Sequence, residues 1–116
     1  MIAIYGKNLS SQYISHALDL FNYMKEKQMD CVVEKKFMDI LTKQLNMRID
    51  AEVFESFETV KDQTQVVLSM GGDGTILESV VMVKESEIPI LGINFGRLGF
   101  LASLGKDQVH DAIDAI

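Results

Sequence analysis

Apolar and polar positions along this chain switch between two rhythms, and the switches divide it into strand-helix units. Ile2 to Tyr5 is a short apolar run that ends in Gly6-Lys7-Asn8-Leu9-Ser10-Ser11, a turn composition. Ile14, Ala17, Leu18, Phe21 and Met24 then recur at i, i+3 and i+4, which predicts a helix with one apolar face, opened by Ser10 or Ser11 as its cap. His16 falls off that stripe and is expected to be exposed. Cys31-Val32-Val33 forms a second short strand, entered through Met29-Asp30. Phe37, Ile40, Leu41 and Leu45 mark a second helix, whose polar face carries Lys35, Lys36, Asp39, Lys43 and Gln44.

The stretch from Met47 to Phe57 has the weakest pattern. Ile49, Ala51, Val53 and Glu55 alternate like an edge strand, whereas Phe54 and Phe57 fit a short helix or an irregular segment, and Asp62 to Gln65 reads as a polar turn. The rhythm then sharpens. Val66-Val67-Leu68-Ser69-Met70 is a buried strand, and Ile76, Val80 and Val83, with Leu77 and Val81 beside them, recur at helical spacing after it. Lys84 to Glu87 is a polar turn. Ile88 to Asn94 is the next strand, with Pro89 among its first residues, where a missing donor costs little. Val109, Ala112, Ile113 and Ile116 predict a last amphipathic helix. Strands alternating with helices imply an α/β fold, an open and mostly parallel sheet with flanking helices.

A length of 116 residues suits one domain with a real core, though it is small for an enzyme that must hold two substrates. Eleven basic residues against seventeen acidic ones leave a net charge of -6, which argues against a nucleic-acid or anionic-membrane surface. A polyanionic ligand would therefore have to be held by local dipoles, a few bases and metal. The single cysteine, Cys31, excludes an internal disulfide and a cysteine metal cluster and fits a reducing compartment. Met1 to Tyr5 lacks the charged start and long apolar run of a leader, so no signal peptide or membrane span is expected, and the expected location is cytoplasmic.

The chemistry concentrates after the strand at Val66-Met70, in Gly71-Gly72-Asp73-Gly74-Thr75. Glycine permits positive φ and a close approach of its backbone NH to a ligand, and the helix that follows turns its unpaired NH groups and dipole toward an anion. Asp73 either caps that helix or faces a group other than the anion, such as an acceptor hydroxyl whose proton it takes. The loop has neither the spacing of a P-loop nor that of a dinucleotide fingerprint. A second unusual segment, Asn94-Phe95-Gly96-Arg97-Leu98-Gly99-Phe100-Leu101-Ala102, follows the next strand. If the two strands pair in parallel, both loops face one crevice beyond their carboxyl ends. Arg97 could then grip a phosphate with its planar fork and Phe100 could stack on a ring, or both could be ordinary surface and core. Lys7 has the same two readings, phosphate ligand or solvated loop lysine.

The pair Gly71-Gly72-Asp73-Gly74-Thr75 and Gly92-Ile93-Asn94-Phe95-Gly96-Arg97-Leu98-Gly99-Phe100-Leu101 resembles the amino-terminal domain of the NAD kinase family, over residues 1–116 in layout. The first motif is shared with diacylglycerol and sphingosine kinases and, in related form, with phosphofructokinases, which leaves a lipid or sugar-phosphate kinase as an alternative; a noncatalytic nucleotide-binding module is another. The second motif selects NAD kinase. The resemblance implies a Rossmann-like domain that, with a divalent metal such as magnesium, transfers a phosphoryl group from ATP or polyphosphate to the adenosine ribose 2'-hydroxyl of NAD. It implies that Asp73 accepts the hydroxyl proton, that Gly74 contacts NAD, that Gly71, Gly72 and Thr75 belong to the phosphate-facing turn, and that Leu77, Phe100 and Leu101 line the adenosine pocket. Asn94 and Arg97 lie in the same second motif. It further implies a carboxyl-terminal, mostly β domain that this chain lacks, little activity for the chain alone, and dimers or tetramers of the longer protein. Several members carry a basic residue where this chain has Glu78.

Overall fold

A computed structural model describes residues 1–7, 9, 11–71, 73–93 and 114, of which 11–13, 73 and 85 as backbone alone. The predicted rhythm is realised as β1 (Ile2–Gly6), α1 (Ser11–Glu26), β2 (Cys31–Glu34), α2 (Lys35–Leu45), β3 (Glu52–Phe54), β4 (Val66–Met70), α3 (Asp73–Val83) and β5 (Ile90–Ile93). Short 3-10 turns occupy Phe57–Thr59, Lys61–Gln63 and Lys84–Ser86. The last predicted helix lies outside the described residues except for Asp114, which is helical and accepts a hydrogen bond from the Tyr23 hydroxyl at 2.7 Å.

All four strand pairings are parallel, in the order β3-β2-β1-β4-β5. Because side chains alternate along a strand, the sheet has two apolar faces. Ile2, Ile4, Val33, Val66, Leu68, Met70 and Ile93 point to one, where they pack with Ala17, Leu20, Phe21 and Met24 of α1 and Phe37, Met38 and Leu41 of α2. Ala3, Val32 and Val67 point to the other and meet Phe54, Phe57 and Val83. Fully burying a residue such as Phe37, Met24 or Leu41 contributes about 1.5–3 kcal/mol each, so the first face carries most of the apolar stabilisation.

Local chemistry sets the boundaries. β2 runs into α2 without a loop because Glu34 stays extended, at φ -60° and ψ 134°, and its carboxylate accepts from the Phe37 amide at 3.0 Å. Asn46 ends α2 in the left-handed region at φ 50°. Gln44, on the polar face as expected, donates its amide to the Leu9 carbonyl at 2.8 Å and ties down the β1-α1 loop.

Three expectations need correction. His16 is half-buried rather than exposed. In β3 the phase differs: Ile49 is buried, but Val53 is 47% exposed and Phe54 is the buried residue, its ring edge-on to Phe57 at 6.2 Å. The strand is three residues long at the sheet edge, so a long alternation never develops and the aromatic pair decides which face it closes. In α3 the buried side is Thr75, Ile76, Ser79 and Val83, whereas Val80 stands 50% exposed with Leu77 and Val81. Ser79 can be buried because its hydroxyl donates to the Thr75 carbonyl one turn back, at 3.0 Å.

Candidate functional site

From β1 the chain moves outward through β2 to β3, then returns to β4 on the other side of β1 and moves out to β5. α1 and α2 cover one face and α3 the opposite one, so the connections leaving β1 and β4 part to opposite faces. The crevice this opens beyond the carboxyl ends of β1 and β4 is the topological switch point at which open α/β sheets bind ligands. Lys7 lies on its β1 side and Gly71 on its β4 side.

Gly71 has φ 149°, a conformation that side-chain-bearing residues rarely adopt, and a Cβ there would stand 2.6 Å from Thr75 Oγ1. Its amide donates to the Ile93 carbonyl at 3.1 Å, which stitches the start of the glycine loop to the end of β5. β4 and β5 pair in register from Val67↔Ile90 to Met70↔Ile93, so the strands that precede the two segments singled out from the sequence end side by side. Asp73 is the first residue of α3, whose opening amides have no partner within the helix. Gly74 differs from Gly71: a Cβ added to it would meet nothing within 4 Å, so its backbone faces open space. Thr75 is 7% exposed beneath Gly71, and Leu77 is 58% exposed, one turn after Asp73. Gly72, Asn94, Arg97, Phe100 and Leu101 lie outside the described residues.

Residues 2–116 match the family model described as ATP-NAD kinase N-terminal domain. The chain belongs to this family. Similar curated proteins include NAD kinases from Flavobacterium johnsoniae, 34% identical over 108 residues and covering 93% of this chain, from Christiangramia forsetii, 32% over 118 residues and 99%, and from Bacteroides fragilis, 33% over 114 residues and 98%. The matched regions make up 37%, 39% and 39% of those proteins, so the chain spans about two fifths of the length of the relatives it matches. An α/β fold with a five-stranded parallel sheet is the fold expected for this family domain.

One cluster at the crevice escaped the sequence reading. Tyr5 and Lys7, two residues apart, project toward the face that carries α3, and both end on Glu78: the Tyr5 hydroxyl donates to Oε2 at 2.6 Å and the Lys7 ammonium lies 2.9 Å from Oε1. The Tyr5 hydroxyl and then Lys7 hold the Glu78 carboxyl below its usual range, while burial, followed by the bond to Glu78, pushes the Tyr5 phenol well up. The spacing of Tyr5 and Lys7 was the only local signal, because their partner is more than seventy residues away. The Lys7 amide also donates to the Met70 carbonyl at 3.4 Å, which keeps the β1 exit against the glycine loop.

A cavity of about 700 Å³ lies at the other end of the sheet, between Met1, Asp30, Cys31 and residues 47–52. It sits beside the amino ends of the strands, away from the helix amides and glycines, so the switch-point crevice is the better candidate. Among the described residues, no three His, Cys, Asp or Glu side chains converge as a metal cluster, and no helix is long and apolar enough to cross a membrane.

Proposed function

We propose that this chain forms the donor- and ribose-facing part of an enzyme that phosphorylates the adenosine ribose 2'-hydroxyl of NAD, with ATP or polyphosphate as donor, to give NADP. The observation that carries the reading is the parallel register of β4 and β5, closed by the Gly71 amide on the Ile93 carbonyl, in a chain of the ATP-NAD kinase family. That register ends β4 and β5, the strands before the two candidate loops, side by side.

In this reading the 2'-oxygen attacks the terminal phosphorus, the bond to the bridging oxygen breaks, the shortened donor leaves, and the hydroxyl proton passes to the Asp73 carboxylate and then to solvent. The amides of Gly71, Gly72, Gly74 and the first turn of α3 face phosphate, Gly74 lets the dinucleotide approach the backbone, Thr75 supports Gly71 from beneath, and Leu77 offers an apolar wall. Arg97 would hold a phosphate, Asn94 would contact the substrate, and Phe100 and Leu101 would line the adenosine pocket. Magnesium, which takes most of its ligands from phosphate and water, would be held chiefly by the donor's phosphates. When bound it neutralises the donor's charge. A second, β-rich domain in the longer protein completes the dinucleotide site, the longer protein is cytoplasmic and homo-oligomeric, and the chain alone turns over little because the positioning groups of one substrate are missing.

The test is NADP formation by the full-length gene product with NAD, ATP and magnesium, run beside residues 1–116 and a full-length Asp73→Asn variant. Activity in the full-length protein, little in the shorter chain, and loss of most turnover with NAD binding kept in the variant are expected. Near-normal turnover in Asp73→Asn removes the proton-acceptor role.

A further inference from the structure

Tyr5, Lys7 and Glu78 form a built arrangement at the mouth of the crevice. An exposed ion pair adds little to stability, and the side chains of Lys7 and Glu78 are 55% and 46% exposed, so fold stability does not account for it. What the arrangement does secure is direction. A lysine on a loop samples many rotamers; here its ammonium is held at one oxygen of a carboxylate whose other oxygen is held by a tyrosine. The backbone of Lys7 is tied to Met70, the residue before Gly71. Of the three N–H groups of the ammonium, one serves Glu78, which leaves two able to donate to other oxygen ligands.

Resting on the kinase reading above, we propose that Lys7 is a ligand for a phosphate group in the switch-point crevice and that Glu78, held by Tyr5, is the positioning residue that presents it. The Lys7–Glu78 pair is neutral overall, so in a chain with a net charge of -6 a phosphate would be met by the oriented N–H groups of the ammonium and not by an excess of positive charge. The phosphate belongs either to the phosphoryl donor or to the diphosphate of the dinucleotide. The two sources share the chemistry and separate in the kinetics.

The experiment compares Lys7→Ala, Lys7→Arg, Glu78→Ala and Tyr5→Phe in the full-length gene product. Losing one charge-assisted hydrogen bond predicts that Lys7→Ala raises one KM about tenfold while kcat changes less than about twofold. A rise in the KM for ATP assigns the donor, and a rise in the KM for NAD assigns the dinucleotide. Lys7→Arg should recover most of the loss, and Glu78→Ala and Tyr5→Phe should raise the same KM by smaller factors. Calorimetric binding of tripolyphosphate to the wild type and to Lys7→Ala reads the same contact without turnover. A wild type that makes no NADP but binds tripolyphosphate more tightly than Lys7→Ala would sink the kinase reading and leave this proposal standing. Equal tripolyphosphate affinity beside a raised KM for NAD would assign the dinucleotide, whereas unchanged KM values for both substrates in Lys7→Ala, or a lower KM in Glu78→Ala, would overturn it.

Discussion

A Cβ placed on Gly6 would stand 2.5 Å from Cζ of Phe37 and 2.8 Å from the Met70 carbonyl oxygen. The last residue of β1 is therefore glycine because the fully buried ring of α2 lies across it, not because a turn requires it. Phe37 is 0% exposed and has nowhere to retreat, and the carbonyl is backbone. Gly6→Ala should cost about 2 kcal/mol through overpacking, read as a lower urea midpoint with an unchanged slope. An unchanged midpoint would show that the ring can shift.

Gly74 should respond in the opposite direction. With nothing within 4 Å of an added Cβ and a helical position, Gly74→Ala should stabilise the fold by about 0.5–1 kcal/mol. If that open space receives the dinucleotide, the same substitution should raise the KM for NAD in the full-length enzyme. Thermal unfolding and steady-state kinetics on one variant check both, and higher stability with unaltered kinetics would leave the space without a ligand role.

Ser69 is fully buried on the α3 side of β4, paired with Tyr5 and Gly92 in the neighbouring strands, and its hydroxyl has no hydrogen-bond partner among the described residues. A buried unsatisfied hydroxyl carries a desolvation penalty, so Ser69→Ala should be neutral or stabilising by about 1 kcal/mol. Urea denaturation decides it: a clear loss of stability would mean that the hydroxyl has a partner in solution.

Burial, and secondarily Asp30, pushes the Cys31 thiol up from its ordinary 9.0. Native Cys31 should therefore react with a thiol reagent at pH 8 more slowly than the unfolded chain does. A folded pKa above the unfolded one stabilises fully below the unfolded value, and the contribution is lost as pH rises through the folded value. Stability should fall above about pH 9, and Cys31→Ala should remove that part of the alkaline loss, as seen by denaturation across pH 8–11. Equal native and unfolded reaction rates at pH 8 would contradict the shift.

Much of this architecture is legible in the one-dimensional pattern. The runs at Ile2–Gly6, Cys31–Glu34, Val66–Met70 and Ile90–Ile93, and the periodic stripes of α1 and α2, announce their elements because each is amphipathic or buried over its own length. Where an element's surroundings decide, the pattern misleads. Val80 repeats with Ile76 and Val83 yet faces outward, and Ser79 takes the buried place because its hydroxyl can bond within the helix. Val53 follows Ile49 and Ala51 in phase yet is left open at the sheet edge, since Phe54 and Phe57 pair on the other face.

The candidate site divides the same way. The sequence by itself determined the glycine loop, its acid and the strand-helix order, because turn chemistry and periodicity are properties of neighbouring residues. Only the tertiary structure decided that β1 and β4 lie together with their helices on opposite faces, that Gly71 bonds to Ile93, and that Tyr5 and Lys7 converge on Glu78. Those contacts depend on the register between strands far apart in the chain, and register is set by packing both faces of the sheet at once, which no local stretch of residues encodes.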